Sequence, residues 1–322
     1  MSWKKNLALG SAAIGITTLT LYMINKLIYN SALSDSTDTL SGFHYKWKFG
    51  NIYYTKQGNG SNLLLIHDLS CYSSSIEWDQ VVEELSAFYT VYTIDLLGCG
   101  HSDKPNITYT SYMYVQLIND FIKDVIKGNT DIVATGISGA FVIGACQNNS
   151  SMINRIILVN PENMEKLSKS PSKISKAWAK IINTPVFGTF LYNIMTKKEE
   201  IKKLFYDEYY FNKNNVDEFL LDFYYKNAHT SHADCKYLYS SMIGRYITMN
   251  VAHCLKSINN SIFIIAGNGD WANNIHADEY KLILPAIEIM KIENTKHLPQ
   301  LERHREFIEQ VNILLSDPTE TE

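Results

Sequence analysis

The sequence predicts an α/β fold: a mostly parallel central sheet flanked by helices, with a helical cap insertion and an N-terminal membrane helix. Three observations carry this. Short β-branched and aliphatic runs alternate with segments of helical period, which calls for right-handed crossovers and a parallel sheet. The alternation lapses between residues 161 and 250 and then resumes. The first thirty residues hold Lys4 and Lys5 and then no charge until Lys26.

Taken in order, that uncharged run is about 30 Å long as a helix, close to one bilayer core. Residues 1–30 are therefore expected to be an uncleaved cell-membrane anchor, touching lipid through residues 7–29. A cleaved signal would need a shorter apolar region and a better small-x-small site than "YNSALSD". Which side of the membrane the remainder faces stays open. A polar linker spans 31–42, and two short strands follow, "FHYKWKF" and "NIYYTK", joined through Gly50. "LLLIH" (63–67) reads as a doubly covered parallel strand. "SSIEWDQVVEELSAF" sets Ile76, Val81, Val82 and Leu85 on one helical face. Next come the strand "TVYTIDLL", the helix "SYMYVQLINDFIKDVIKG", the strand "DIVATGIS", the helix "GAFVIGACQNN" and the strand "NRIILVN". Residues 161–250 carry helix-period aromatic segments such as "VDEFLLDFYYKNAH". "SIFIIAG", "ADEYKLIL", "AIEIMKIEN" and "LERHREFIEQVNILL" restore the alternation. The core is thus expected over 43–160 and 251–316, with a cap over 161–250.

Composition fits one well-packed sheet domain. Of 322 residues, 46% are hydrophobic and 19% charged, which excludes disorder. A formal net charge of −4 argues against a nucleic-acid footprint. Five cysteines at irregular spacing suggest free thiols rather than a disulfide framework.

The strand order also suggests chemistry. A serine becomes a nucleophile only when a base takes its proton and a carboxylate orients that base. In a parallel sheet these groups must lie at the carboxyl ends of strands. Ser138 follows "DIVATGI", Asp270 follows "SIFIIAGNG", and His297 follows "AIEIMKIENTK". Ser–Asp–His is the chain order of a nucleophile-elbow hydrolase.

The segments "LLLIHDL", "DLLGCGHSDKP", "GISGA", "GNGD" and "TKHLPQLE", with the cap between them, resemble the α/β-hydrolase fold superfamily. The likeness runs over residues 45–315, to serine-nucleophile members with a helical cap. It implies that Ser138 is the nucleophile, His297 the base and Asp270 the orienting acid, with Glu162 as the alternative acid. It places the oxyanion hole on the backbone N–H groups of Leu69 and Gly139. Two departures stand out: Asp68 and Lys296 occupy positions where the family usually has glycine. Family members with an elbow aspartate cleave epoxides and alkyl halides. A serine implies ester, thioester or C–C bond hydrolysis, or acyl transfer.

Other residues have plainer readings. Ser138 fits a helix N-cap as well, and His67 a structural role beneath the oxyanion loop. Cys99 fits a small filler. "HTSHAD" (229–234) has two histidines three apart but no further ligand cluster, so no metal or cofactor is expected. The sequence thus points to a membrane-anchored serine hydrolase acting on a small, apolar acyl substrate. A non-catalytic small-molecule-binding protein on the same scaffold is the competing class, favoured by Asp68 and Lys296.

Overall fold

A computed structural model describes residues 2–33 and 41–316; most of the expected linker lies outside them. Eight strands form one sheet: β1 (Phe43–Trp47), β2 (Gly50–Gln57), β3 (Ser61–Ile66), β4 (Tyr89–Ile94), β5 (Thr130–Thr135), β6 (Ile153–Val159), β7 (Ser261–Gly267) and β8 (Glu288–Ile292). Their order is β1-β2-β4-β3-β5-β6-β7-β8. β1, β2 and β4 pair antiparallel, and every later pair is parallel. The helices are α1 (Ser2–Ala32), α2 (Asp79–Leu85), α3 (Ser111–Phe121), α4 (Ser138–Asn148), α5 (Met164–Ser168), α6 (Lys173–Ile182), α7 (Phe187–Met195), α8 (Lys198–Leu204), α9 (Glu218–Ala233), α10 (Lys236–Ile243), α11 (Ala252–Ser257), α12 (Trp271–Ile283), α13 (Pro299–Glu302) and α14 (His304–Leu315). Helices α5 to α10 all fall between β6 and β7, in the segment expected to be the cap and so called below.

The period-two alternation of the central strands sorts side chains onto two faces. Leu64, Ile66, Ile132, Ala134, Ile156 and Leu158 face α3 and α4, joining Leu117, Phe121, Phe141 and Ile143. Leu63, Leu65, Val133, Ile157 and Val159 face α2 and α14, joining Val81, Leu85, Phe307 and Val311. Each fully buried aliphatic side chain contributes roughly 1.5–3 kcal/mol, so both layers are needed. The apolar runs that made the central strands legible are these two-sided contacts.

The expectation of a membrane anchor is overturned. Among the described residues no helix is long and apolar enough to cross a membrane. The C-terminal part of α1 instead docks on the cap through polar contacts. Asn25 Nδ2 donates to the Val186 carbonyl (2.9 Å), and Asn193 Nδ2 donates to Asn25 Oδ1 (3.0 Å). The Tyr29 ring stacks on His232 with centroids 4.1 Å apart. A run of few charges looked lipid-facing, but its Asn25 and Tyr29 are committed to protein.

A partly buried ion pair ties β5 to β6. Asp131, 1% exposed, accepts hydrogen bonds from the Arg155 amide (3.0 Å), Nε (3.1 Å) and Nη2 (2.9 Å). Arg155 is 22% exposed, so removing Asp131 forfeits the charge-assisted hydrogen bonds while water still reaches the guanidinium. Asp131→Ala is therefore expected to lower the unfolding free energy by about 1–2 kcal/mol, read from the urea midpoint at unchanged slope.

Candidate active site

The site is built where β5 turns into α4. β5 ends at Thr135, and Gly136 adopts φ +58°, a left-handed angle that costs little only for glycine. Its amide donates to the Val159 carbonyl of β6 (2.9 Å), which fixes the turn against the neighbouring strand. A Cβ built on Gly136 would lie 2.3 Å from Asp68 Oδ1. The space a side chain would take at the turn is filled by the Asp68 carboxylate.

Asp68 leaves the end of β3 and reaches across to that turn. Its Oδ1 accepts from the Leu69 amide (2.8 Å) and the Ile137 amide (3.1 Å). Its Oδ2 lies 2.9 Å from His297 Nε2. Burial disfavours the charge on Asp68, but the hydrogen bond and charge of His297 outweigh it and hold the carboxyl below the usual aspartate range. For His297 burial again opposes the charge, and the hydrogen bond and charge of Asp68 raise the imidazole above its ordinary value.

The loop that carries Asp68 is pinned from several sides. The Leu96 amide donates to His67 Nε2 (3.0 Å), so the proton of His67 sits on Nδ1 and is donated to the Asp68 carbonyl (2.6 Å). Burial lowers the His67 pKa and keeps the ring neutral, in the structural role the sequence suggested. The Asp68 amide donates to Glu77 Oε2 (3.0 Å), and Tyr224 of the cap donates to Glu77 Oε1 (3.1 Å). Burial, reinforced by the negative charge of Asp68, pushes the Glu77 carboxyl up to about 8. Asp95, at the end of β4, accepts from the Ser75 and His101 amides (both 2.7 Å) and holds the next loop.

His297 follows β8. Asn160 at the end of β6 braces it, donating from Nδ2 to the carbonyls of Lys296 (2.8 Å) and His297 (2.9 Å) while its Oδ1 accepts from the Gly267 amide (2.9 Å). The Tyr209 ring of the cap stacks on the imidazole at 5.1 Å. Asp68 and His297 open on a cavity of about 400 Å³ that Gly136, Tyr72, Tyr209 and Asp270 also line.

Ser138 does not join this group. It is fully buried, stands inside the first turn of α4 away from the cavity lining, and donates from Oγ to the His67 carbonyl (2.7 Å). His297 and Asp68 are 21% and 15% exposed, so a small molecule in the cavity meets those two groups and not the serine. The Gly139 amide is directed to the Gly136 carbonyl (3.3 Å). The amide that meets the carboxylate at the turn is that of Ile137, alongside the expected Leu69. Asp270 lines the cavity, but its Oδ1 accepts from Ala272 N–H (2.9 Å) as the N-cap of α12. Among the described residues no hydrogen bond joins it to His297. Glu162 pairs with Lys166 and accepts from the Asn163 amide (2.9 Å). Lys296 reaches away from the site, its Nζ donating to the Asp207 carbonyl (2.7 Å). Asp68, Ile137, Glu77 and Asn160 were not named as site residues from sequence. The one available signal was the carboxylate at a position where glycine is usual.

The Asp68–His297 pair gives a sign for pH dependence. Its stabilisation through the histidine is fully present below about pH 6.5, the ordinary histidine value, and is lost as pH rises through the raised folded value. Its stabilisation through the aspartate is present above about pH 4 and is lost as pH falls through the depressed one. The His297 imidazole is therefore expected to titrate above 6.5 by proton NMR in the native protein, and Asp68→Asn to bring its midpoint down.

Comparisons with known proteins agree with this frame. The model of the alpha/beta hydrolase family matches residues 63–310. A curated relative, the 2-hydroxy-6-oxo-6-(2'-aminophenyl)hexa-2,4-dienoic acid hydrolase of Metapseudomonas resinovorans, is 32% identical over 108 residues, which is 33% of this chain and 37% of that protein. The chain thus spans about a third of the length of the first curated relatives it matches. Among solved structures, the carboxylesterase CesB from Bacillus subtilis superposes with a TM-score of 0.65 at 14% identity, covering 92% of this chain and 98% of that one. The epoxide hydrolase CorEH gives 0.70 at 15% identity, covering 85% and 98%. At such identities these structures show the fold. The family match extends from β3 into α14 and includes every residue of the site just described, and on it the chain belongs to the alpha/beta hydrolase family.

Proposed function

We propose that the protein is a hydrolase whose nucleophile is the Asp68 carboxylate, working with His297. Residues 161–250 would be the cap that closes over a core of 43–160 and 251–316. One observation carries this reading. Asp68 holds one oxygen on two backbone amides and presents the other to His297 Nε2. In serine acyl chemistry those amides must be free for a developing oxyanion, where such donors are worth roughly 3 kcal/mol each. Here the nucleophile's own oxygen occupies them, which suits displacement at a saturated carbon.

In the first step Asp68 Oδ2 attacks that carbon, forming an alkyl ester as the bond to the leaving oxygen breaks. Tyr72 and Tyr209 line the same cavity, and burial keeps their phenols protonated, so either can protonate the leaving oxygen. Alkylation removes the Asp68 charge that raised His297, so in the second step the neutral imidazole takes a proton from water and the resulting hydroxide attacks Asp68 Cγ. The negative charge then develops on Oδ1, against the Leu69 and Ile137 amides. Collapse breaks the acyl–oxygen bond; the hydroxyl proton of the intermediate goes to the departing alkoxide, which releases the diol and regenerates the Asp68 carboxylate with one solvent oxygen, while the His297 imidazolium returns its proton to the tyrosine phenolate. The substrate class is a small apolar epoxide.

The reading predicts a specific label and a specific trap. Multiple turnovers of styrene oxide in ¹⁸O water should place ¹⁸O in the Asp68 peptide, read by mass spectrometry. His297→Gln should accumulate a covalent adduct on Asp68 while Ser138→Ala keeps turning over. Turnover without label in Asp68, or turnover lost with Ser138→Ala in a folded protein, would overturn it. Binding with neither turnover nor adduct across an epoxide panel would favour the non-catalytic scaffold.

A further inference from the structure

The proposed reaction makes no use of Glu77, a fully buried acid in the helical turn Ser75–Trp78. A buried carboxyl group is tolerated only where its oxygens find hydrogen-bond partners. Those of Glu77 find them on two separate stretches of chain. Oε2 accepts from the Asp68 amide (3.0 Å), and Oε1 accepts from the hydroxyl of Tyr224 on α9 (3.1 Å), 147 residues away. Tyr224 is buried as completely as Glu77.

Hydrogen-bond directions show how the group is held. Ser70 Oγ accepts from the amides of Tyr72 (3.3 Å) and Ser73 (3.0 Å), so its own proton goes to Ser73 Oγ (2.6 Å). The Ser73 hydroxyl then donates to Glu77. α9 grips the same stretch again one turn after Tyr224, where Asn227 Nδ2 donates to the Tyr72 carbonyl (3.2 Å) and to Ser74 Oγ (3.0 Å). The chain from Asp68 to Glu77 is thus tied to itself through two serines, and to α9 through Tyr224 and Asn227.

For Asp68 the consequence lies in the backbone. Leu69, Ile137 and His297 orient its side chain, whereas its own amide has Glu77 as acceptor. Without that acceptor the peptide is free to turn, and a shift of about 1 Å in a reacting group costs about 10²-fold in rate. The acceptor need not be charged. The titratable groups that face Glu77 are Asp68 after β3, His297 after β8, and Tyr209 and Tyr224 between β6 and β7. Burial, reinforced by the charge of Asp68, pushes its carboxyl up to about 8, so it is protonated near neutrality. A glutamine copies that form, with a carbonyl oxygen for the Asp68 amide and an NH2 group for Tyr224 Oη.

We infer that Glu77 is a positioning residue for the Asp68–His297 pair: one of its oxygens sets the backbone of Asp68, and the other makes that setting depend on α9. Its effect on turnover rests on the proposed reaction, and its hold on the pair does not. The test compares Glu77→Met, which keeps the length and removes both acceptors, with Glu77→Gln, in styrene oxide kinetics and in the proton NMR titration of His297. Glu77→Met should lower kcat about tenfold or more with KM changed less than about twofold, and bring the His297 midpoint down toward about 6.5. Glu77→Gln should rescue both. Tyr224→Phe should lower kcat about threefold or more and add nothing to the loss in Glu77→Met. In the native protein the Asp68 amide shift should step near pH 8, and in Glu77→Gln it should not. Near-ultraviolet circular dichroism checks folding, and if Glu77→Met is not folded the amide step decides. A native chain with neither turnover nor adduct would sink the proposed reaction alone, and the two NMR readouts would still decide this inference. An unchanged His297 midpoint in folded Glu77→Met, a Glu77→Gln as damaged as Glu77→Met, or a native Asp68 amide without the step would each overturn it.

Discussion

The site depends on how one carboxylate is held. An ionised carboxyl group taken from water costs several kcal/mol unless every lone pair finds a partner. Asp68 finds two amides, from Leu69 and Ile137, and one imidazole, from His297. Those partners come from the loop after β3, the turn after β5 and the loop after β8. The carboxylate is thus the point at which three separate strand ends must agree. The braces around it, His67 beneath the loop and Asn160 across β6 and β7, serve to bring those ends into register.

Gly136 and Asp68 form a single steric unit. There is room for one side chain between the turn and His297, and a Cβ on Gly136 would contact the carboxylate. A glycine at the pivot removes both the competing side chain and the strain of a left-handed residue, and a carboxylate is supplied from the opposite wall. The two amides and the imidazole fix where a reacting oxygen must sit, whichever stretch of chain supplies it. Function then follows from that local geometry rather than from the fold, which hosts many chemistries.

Most of the sheet was legible because its central strands are buried on both faces and so read as unbroken apolar runs. The position of the turn was not. "ATGISGA" contains two overlapping small-x-residue-x-small frames, one centred on Gly136 and one on Ser138, and a reading that seeks a nucleophile settles on the serine. Only the backbone tells them apart: Gly136 takes the left-handed angle, and Ser138 is already helical and fully buried. Asp68 was visible as an oddity, but the direction of its carboxylate depends on a turn 69 residues away in sequence. The N-terminal helix misled for a similar reason. Asn25 meets partners more than 160 residues along the chain, and nothing local to it marks its face as protein-facing.

Two acidic residues share this site, and their surroundings divide the roles between them. Asp68 has His297 and two amides to stabilise its charge, and its carboxyl is held low. Glu77, fully buried and beside the charged Asp68, is pushed up to about 8 and so keeps its proton near neutrality. Two neighbouring carboxylates would repel each other, and a split of this kind avoids that cost. It leaves the negative charge on Asp68, as the proposed reaction requires. Glu77 is left to receive the Asp68 amide on one oxygen and the Tyr224 hydroxyl of the cap on the other. The segment between β6 and β7 is thereby joined, through one carboxyl group, to the backbone of Asp68, the proposed nucleophile.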